Sequence, residues 1–398
     1  MTTNTFSSGP LSDRPRSDLR VTYAPGPEPL SIRITSKVMA NFGAAIQRQS
    51  QEKCQAMKIT TGILKLEDFG AFPFVIDARI EAVLREAFPD RQKPQEPRTE
   101  SQTWPTTTRD RLRRSRLYIP GNQPKLMINA HIHEPDGIIL DLEDSVGPAE
   151  KSAARLIVRN ALRTLDFGRS ERMVRINQGA LGKEDLRELV PEAVDVFLIP
   201  KVESAQDIHE VDRLVKELCE QCGRPKPPFL MPILESARGI LHAEEIATAS
   251  PAIVALAIGL EDYTADLGVP RTSEGRESLW ARNMLVNAAR SAGIQAIDTV
   301  FSDVRDEDGL RAAVREAKQL GFDGKGCIHP RQIRPIHEEF APDPEAVKKA
   351  QAIVAAFEDA TAKGLGVVSL GSKMIDPPVV KRALQTLRSA GENLTKPQ

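Results

Sequence analysis

Charged side chains stand at or just after the carboxyl ends of short apolar runs in the second half of this sequence. In chain order they are Glu143, Asp144, Arg175, Lys201, Glu203, Glu235, Glu261 and Asp262. If the runs are strands of one closed parallel barrel, these side chains converge on a single face. Six carboxylates and two cations without a histidine cluster offer hard oxygen ligands, which suit Mg²⁺ or Mn²⁺ better than zinc.

Glu235 and Asp262 are the best candidate metal ligands, because they follow adjacent predicted strands at equivalent depths. Mg²⁺ usually takes one or two protein carboxylates and leaves its other positions for water and substrate. Such a pair leaves room for a bidentate hydroxy or keto acid. The residues alone equally allow a plainer interpretation, in which these carboxylates form ion pairs with arginines of the barrel.

The elements that must position these residues are eight strand-like runs, which alternate with helical patterns from Ser115 onward. The runs span residues 115–121, 136–146, 172–177, 194–203, 229–236, 253–263, 295–303 and 324–330. Continuous apolar strands separated by helices indicate a parallel sheet buried on both faces, and eight units predict a (β/α)₈ TIM barrel over residues 113–340. A doubly wound open sheet is the alternative, but it would concentrate its chemistry at one switch point, whereas nearly every strand here ends in a polar residue.

The rest of the chain divides into a leader, a small domain, a linker and a tail. Residues 1–15 are predicted to be disordered, and residues 16–89 to form a small α+β domain. Residues 90–112 are rich in proline and polar residues and have no apolar periodicity, which predicts a linker. Two helical patterns over residues 341–398 predict a C-terminal helical lid.

The composition indicates a folded protein whose partners are small molecules or proteins. Of 398 residues, 40% are hydrophobic and 27% are charged, and 54 Lys and Arg nearly cancel 55 Asp and Glu. No net field therefore attracts a nucleic acid or an anionic membrane. The longest uncharged apolar run, residues 252–260, is far below the roughly 20 residues that span a bilayer. With no secretory pattern and four cysteines, we expect a cytoplasmic protein without a disulfide framework.

Eight motifs, in unbroken order over about residues 112–385, resemble the citrate lyase β-subunit and its relatives, the citramalyl-CoA and malyl-CoA lyases. They are RSRLYIPG (114–121), LDLEDSV (140–146), VRIN (174–177), PKVES (200–204), ILESARG (233–239), GLEDYTADLG (259–268), GKGCIHPRQI (324–333) and KMIDPPVVKRA (373–383). The resemblance implies a (β/α)₈ barrel with a C-terminal lid. It also implies an enzyme that uses Mg²⁺ to cleave or form a carbon–carbon bond next to a thioester.

The resemblance also implies roles for individual residues. Arg175 would lie over the thioester carbonyl or the substrate carboxylate, with an ion pair to Glu143 or Asp144 as the alternative. Those two carboxylates are expected to hold metal waters and Arg175 in place. Asp376 matches the family's acid/base residue, which a neighbouring subunit contributes, so the resemblance implies a homo-oligomer, either a trimer or a hexamer.

Two cations are candidates for binding a phosphate of the substrate arm. Lys325 stands between Gly324 and Gly326, and glycines permit a close approach of backbone and ammonium to a phosphate. A tight turn at the entry to the strand explains the same glycines equally well. Arg116 is a further candidate for this role.

The amino-terminal domain has a resemblance of its own, to the citrate lyase γ-subunit, an acyl carrier. The motifs are SDLRVTYAP (17–25), ITSKVMANFGAAI (34–46) and DARIEAVLREA (77–87). In that family a serine in a Ser-Asp pair near the start carries a phosphoribosyl-dephospho-CoA-type prosthetic group. The matching serine here is Ser17.

Carrier, linker and barrel together predict a carbon–carbon lyase that carries its substrate on its own arm. It would cleave a citryl- or citramalyl-type thioester to a keto acid and an acetyl thioester, and an α-type acyltransferase subunit would load it, since no segment resembles that subunit. One alternative is a lyase or thioesterase that acts on free malyl-CoA or citramalyl-CoA, with a vestigial carrier domain. Another is a non-catalytic subunit that docks the carrier. The sequence does not select the hydroxy acid.

Overall fold

The computed structural model describes residues 5–10, 15–90, 104, 107–363, 368–370 and 373–391. Most of the predicted linker, residues 91–103 and 105–106, lies outside these ranges. The described residues form a small amino-terminal domain, a closed barrel and a carboxyl-terminal helical segment. None of the described helices is both long enough and apolar enough to cross a membrane.

The amino-terminal domain is a four-stranded sheet that packs against two helices. The strands are β1 (Phe6–Ser8), β2 (Leu19–Pro29), β3 (Ser31–Ser36) and β4 (Thr61–Asp68), in the order β1-β2-β4-β3, and the helices are α1 (Met39–Ala56) and α2 (Pro73–Ala87). Along β2 and β4 buried and less buried positions alternate, so that Val21, Leu64 and Leu66 face the helices. This arrangement confirms the small α+β domain predicted from the sequence.

Part of the leader that the sequence predicts to be disordered is instead a strand. Phe6–Ser8 pairs with β2 in antiparallel register, with Phe6 opposite Tyr23. Phe6 also packs against the hydrophobic core. So short a run has no periodicity of its own, and its extended conformation depends on the exposed edge of β2, which is a tertiary effect. The prediction of disorder is therefore wrong for these residues.

The eight predicted barrel strands are parallel neighbours in a closed ring, which confirms the barrel over the open sheet. They are β5 (Ser115–Pro120), β6 (Gly137–Asp141), β7 (Glu171–Arg175), β8 (Val196–Ile199), β9 (Phe229–Leu234), β10 (Ala255–Ile258), β11 (Gln295–Asp298) and β12 (Gly324–Cys327). The ring closes where β12 pairs with β5, with Gly326 opposite Arg116. Its interior is filled by apolar side chains such as those of Ile139, Met173 and Met231.

Helices alternate with these strands and form the outer layer. They are α3 (Pro124–Met127), α4 (Lys151–Thr164), α5 (Gly179–Leu189), α6 (Ala205–Cys222), α7 (Ala237–Leu241), α8 (Ala243–Thr248), α9 (Leu260–Leu267), α10 (Arg276–Ser291), α11 (Glu307–Leu320) and α12 (Ile333–Phe340). The strands are shorter than predicted. The sixth barrel strand, β10, ends at Ile258, so Glu261 and Asp262 lie in the first turn of α9 instead of on the strand.

The carboxyl-terminal segment contains α13 (Pro344–Ala362), β13 (Val368–Leu370), β14 (Lys373–Ile375) and α14 (Pro377–Ser389). Its two helices pack on each other through Ala350, Ala383 and Leu387. Through Lys381 and Arg388, α14 borders a cavity of about 540 Å³ whose other walls include residues just before β5, β11 and β12. The helix therefore lies against the amino ends of the barrel strands.

Candidate active site at the carboxyl end of the barrel

A cavity of about 380 Å³ opens where the barrel strands end at their carboxyl termini. The predicted residues that line it are Arg116, Asp144, Arg175, Glu235, Glu261 and Asp262. Glu143 contacts Arg175 at 2.8 Å. Glu203 does not line this cavity, and its carbonyl instead accepts a hydrogen bond from the ring of His242. The convergence follows from the barrel, because Asp144, Arg175, Glu235, Glu261 and Asp262 stand at or just beyond the carboxyl ends of four strands, whereas Arg116 reaches the cavity from the interior of β5.

Glu235 is the most strongly perturbed carboxyl group of this cavity. It directly follows β9, is 4% exposed and accepts a hydrogen bond from the backbone N–H of Lys201 at 2.8 Å. Burial raises its pKa, and the neighbouring carboxylates of Asp262 and Glu143 raise it further, to about 8. Without a bound cation, this carboxyl group therefore holds a proton at neutral pH.

The ammonium group of Lys201 lies among three carboxylates but forms no close hydrogen bond with any of them. Its Nζ is 3.5 Å from Asp262, 3.6 Å from Glu143 and 3.8 Å from Asp144. These distances exceed those of a direct charge-assisted hydrogen bond. Arg175 also contacts Glu143 and Asp144, at 2.8 and 3.4 Å, but it is shared with Asp141, so two cations face four carboxylates.

The donor set at this position fits a hard divalent cation such as Mg²⁺. Glu235 and Asp262 both line the cavity, and the charge of Asp262 helps to raise the pKa of Glu235. Within the part of the chain that the structure describes, no group of three or more His, Cys, Asp or Glu side chains has metal-binding geometry. The protein therefore offers a pair of carboxylates, as Mg²⁺ sites that bind substrate commonly do.

Gly259 sets the position of the Glu235 carboxylate by approaching it closely. A Cβ atom on Gly259 would lie 2.4 Å from Oε2 and 3.0 Å from Cβ of Glu235. Any side chain at position 259 must therefore displace the carboxylate. This requirement explains the glycine at the junction between β10 and α9.

Arg175 is held by a carboxylate that the sequence analysis did not single out. Its Nε and Nη2 donate to the two oxygens of Asp141 at 2.6 and 2.7 Å, and its guanidinium lies 5.4 Å from the centre of the Tyr118 ring. Asp141 is 1% exposed, and although burial favours its protonated form, Arg175 holds its pKa below the usual value. The sequence carries a signal for this role, because Asp141 is the one charged residue in the apolar run of β6.

Arg116 is a buried cation without a carboxylate partner among the described residues. It is 1% exposed, its Nη1 contacts the sulfur of Met231 at 3.1 Å, and its Nε has no hydrogen-bond partner. Burial lowers the pKa of its guanidinium. Leaving a charged group buried in this way is costly, so its place at the cavity wall suits the anionic group of a ligand.

The ammonium group of Lys325 is buried and forms an ion pair within the barrel. It is 3% exposed, its Nζ binds Asp298 at 2.7 Å, and it lines a neighbouring cavity beside Arg282. A Cβ atom on Gly324 would lie 2.0 Å from the carbonyl oxygen of Arg113, so this glycine admits the adjacent backbone. Contact with a phosphate stays a prediction that requires Lys325 to leave Asp298.

Two further predicted residues lie away from this cavity. Asp376 caps α14, where its carboxylate accepts a hydrogen bond from the backbone N–H of Val379 at 3.0 Å. Ser17 precedes β2 and adopts a left-handed backbone conformation with φ of 55°, which is uncommon for serine. Neither residue lines the mouth cavity of its own barrel.

The Gly259→Ala variant tests the close approach to Glu235. We expect the added methyl group to displace the carboxylate and to weaken Mg²⁺ binding by about 10- to 100-fold, as changes behind a ligand commonly do. Calorimetric titration with Mg²⁺ measures the effect. Gly147→Ala is the control, since φ at Gly147 is −62° and no atom lies within 4 Å of its added Cβ. Equal Mg²⁺ affinity in the two variants would contradict the assignment.

Mg²⁺ affinity should rise with pH up to about 8. The pKa of Glu235 in the metal-free fold, about 8, lies above the ordinary value of 4.5, so Mg²⁺ must displace a proton at lower pH. We expect the affinity to fall by about tenfold for each pH unit between pH 8 and pH 6. Titrations in buffers of different ionisation enthalpy count the released protons. An affinity that is constant across this range would refute the prediction.

Comparisons with known proteins agree with this geometry. Residues 114–330 match the family model described as HpcH/HpaI aldolase/citrate lyase, and residues 15–87 match a model described as malonate decarboxylase delta subunit. The citrate lyase subunit beta of Leuconostoc mesenteroides subsp. cremoris is 42% identical over 287 residues, which cover 71% of this chain and 95% of that protein. The L-malyl-CoA/beta-methylmalyl-CoA lyase of Cereibacter sphaeroides (strain ATCC 17025 / ATH 2.4.3) is 37% identical over 302 residues, with coverages of 70% and 95%.

A solved structure shares the fold at similar coverage. The protein CitE from Mycobacterium tuberculosis, in complex with magnesium, acetoacetate and coenzyme A, is 33% identical and superposes with a TM-score of 0.57, covering 71% of this chain and 100% of that one. The region that matches the family model, residues 114–330, contains all eight barrel strands together with Glu235, Asp262 and Arg175. On the strength of this family match and of the relatives above, the chain belongs to the HpcH/HpaI aldolase/citrate lyase family.

Proposed function

We propose that this protein uses Mg²⁺ to cleave a hydroxyacyl thioester of citryl or citramalyl type to a keto acid and an acetyl thioester, while the thioester is attached to Ser17. Its family membership places it among the carbon–carbon lyases. The observation that carries the proposal is the mouth cavity, which is lined by the carboxyl groups of Glu235 and Asp262 and by the guanidinium groups of Arg116 and Arg175. A hydroxy acid thioester presents the complementary groups, a chelating oxygen pair and an anion.

The residues of this chain divide the binding of such a substrate between them. Glu235 and Asp262 would hold Mg²⁺, which supplies Lewis acidity toward the hydroxyl and carboxylate oxygens of the substrate. Arg116, buried and without a carboxylate partner among the described residues, can take the second anionic group of the acid. Asp144 lines the same cavity near Lys201 and helps to keep that ammonium at the rim.

Cleavage breaks the bond between the carbon that carries the hydroxyl group and the α-carbon of the thioester. The hydroxyl loses its proton and becomes the keto group, and the electron pair of the broken bond moves to the thioester as an enolate. Arg175, whose planar guanidinium is fixed by Asp141 and Glu143, can donate hydrogen bonds to that developing oxyanion. The α-carbon then takes up a proton to give the acetyl thioester.

Asp376 is our candidate for the group that exchanges these protons, and we assign it to the cavity of a neighbouring subunit. In its own chain, α14 lies against the amino ends of the barrel strands, and Asp376 is absent from the lining of the mouth cavity. A homo-oligomer, a trimer or a hexamer by family resemblance, would bring the capping residue of one chain over the cavity of another. Activity would then depend on assembly.

The amino-terminal domain supports a substrate that is carried on the protein itself. Its match to a model named for an acyl carrier spans residues 15–87 and contains Ser17. The left-handed backbone at Ser17 is a local strain of the kind that clusters at functional positions. A phosphoribosyl-dephospho-CoA-type arm on Ser17 would require an α-type acyltransferase subunit for loading, and we expect the enzyme to be cytoplasmic.

A second candidate substrate is a free CoA thioester such as malyl-CoA or citramalyl-CoA. It is favoured by the relative named L-malyl-CoA/beta-methylmalyl-CoA lyase and by the structure solved with coenzyme A. The barrel chemistry would be the same, and the amino-terminal domain would have no arm. The described site set argues against a non-catalytic docking subunit, since Glu235, Asp262, Arg175 and Arg116 all converge on one cavity.

A panel of citryl, citramalyl and malyl thioesters tests the reaction class. We expect Mg²⁺-dependent release of a keto acid from at least one of them, and a loss of at least about 1000-fold in the Asp262→Ala variant, because one of the two metal ligands is missing. Asp266→Ala is the matched control, since Asp266 lies on the same helix but accepts a hydrogen bond from the backbone N–H of Ala237. Full activity of Asp262→Ala would remove the metal assignment.

Intact-mass spectrometry of the natively expressed chain tests the carrier. We expect a covalent adduct of the mass of a phosphoribosyl-dephospho-CoA group in the wild-type protein and none in the Ser17→Ala variant. Ser8→Ala is the control, since Ser8 lies on the neighbouring strand β1. An unmodified wild-type chain that turns over free CoA thioesters would instead support the second candidate.

A further inference from the structure

The amino-terminal domain and the barrel meet through a ring of four alternating charges, which join α2 to α4 and α5. Glu81 and Arg85 belong to α2, whereas Arg159 and Glu188 belong to the barrel helices α4 and α5. Arg159 donates to both oxygens of Glu81 at 3.0 and 2.8 Å, and Arg85 donates to both oxygens of Glu188 at 3.0 and 3.1 Å. Arg159 also binds Glu188 at 2.5 Å, and Arg85 binds Glu81 at 2.5 Å. We call these four residues the ion-pair ring.

The ion-pair ring is buried, so its charges depend on one another. Glu81 is 0% exposed and Arg159 is 4% exposed. Burial would raise the pKa of Glu81, but Arg159, Lys53 and Arg85 together lower it to about 2. Separating the two domains would break the two bidentate contacts that cross between them, Arg159 with Glu81 and Arg85 with Glu188. Bidentate pairs of this kind are among the stronger hydrogen bonds of proteins.

A second ionic contact ties the position next to Ser17 to the barrel. Asp18 follows Ser17 directly and receives two hydrogen bonds from Arg79, at 3.1 and 2.8 Å. The same guanidinium donates to Glu150 of the barrel at 3.0 Å. Arg79 is 0% exposed and Asp18 is 3% exposed, so this bridge is fixed within packed structure.

Glu150 lies at the catalytic end of the barrel. It stands immediately before α4, in the connection that follows β6 at its carboxyl end. The next residue, Lys151, donates to the carbonyl oxygens of Leu142 and Glu143 at 2.9 Å each. The bridge from Asp18 therefore reaches the same loop that carries Glu143 into the active site.

We propose that the amino-terminal domain is permanently docked on α4 of its own barrel by the ion-pair ring and the Asp18–Arg79–Glu150 bridge, which hold Ser17 on the catalytic side. Only a group attached to Ser17 then moves, and the domain that carries it does not. The delivery of substrate in this inference rests on the proposed function, whereas the docking itself does not. A loading subunit must accordingly reach Ser17 on the assembled chain.

The test severs the connection between the domains and asks whether they stay together. A protease recognition sequence replaces residues within 94–102 of the full-length chain, which is cleaved after purification and run on a size-exclusion column at micromolar concentration. We expect the two fragments to co-elute. Reversing charges on both contacts, in the variant Arg85→Glu with Glu150→Arg, should raise the dissociation constant of the fragments at least 100-fold and separate them.

A matched control reverses an exposed ion pair within one barrel helix, Arg213→Glu with Glu217→Arg, and its fragments should co-elute like those of the wild type. If the double variant does not fold by circular dichroism, Glu150→Arg alone serves, since Glu150 is partly exposed, and about a tenfold weaker association is expected. Wild-type fragments that separate, or charge-reversed fragments that bind as tightly as wild type, overturn the docking. Failure of the proposed function has a different signature, namely intact wild-type protein that cleaves none of the thioesters.

Discussion

The concentration of negative charge at the mouth of the barrel is the constraint on which the rest of the site depends. Glu235 is buried beside Asp262 and Glu143, and two cations face this group: Lys201, at 3.5 to 3.8 Å from its carboxylate neighbours, and Arg175, which Asp141, Glu143 and Asp144 share. Among the described residues, the cation within 4 Å of Asp262 is Lys201, at 3.5 Å, so the charge of Asp262 is less closely compensated than that of Asp141, which Arg175 binds at 2.6 Å. We propose that a divalent cation completes the compensation at this position.

The remaining parts of the site follow from the geometry of the barrel. Most of the side chains at the mouth come from the carboxyl ends of the strands or from the first turn beyond them, and Arg116 reaches the cavity from within β5. Asp141 and Arg175 occupy the ends of the paired strands β6 and β7, directly opposite each other in register. That pairing explains their bidentate contact, and it fixes the plane of the guanidinium before any ligand arrives.

The sequence predicted the fold and much of the site because both rest on local patterns. Eight apolar runs with polar ends specify the barrel, and Glu235, Asp262 and Arg175 stand at those ends. Features that depend on contacts distant in sequence were missed. Phe6–Ser8 forms a strand only on the edge of β2. Asp141 lies in an apolar run typical of a buried strand, and its partner, Arg175, is 34 residues away in the chain, so the sequence pattern does not show the ion pair. The glycines beside Lys325 allow either a phosphate contact or a tight turn by sequence; Gly324 lies against the backbone of Arg113 and Gly326 against the side chain of Val300, and the ion pair of Lys325 with Asp298 joins separate strands.

The buried contacts between the two domains also bear on how the molecule melts. One continuous apolar cluster runs from Leu19 in the small sheet to Phe340 at the end of α12. A domain of this size has little core to stabilise it alone, and separating the two domains would break buried ion pairs and expose part of the shared apolar cluster. Heat should therefore unfold the amino-terminal domain and the barrel together in a single cooperative transition, so that the smaller domain unfolds at the same temperature as the larger one.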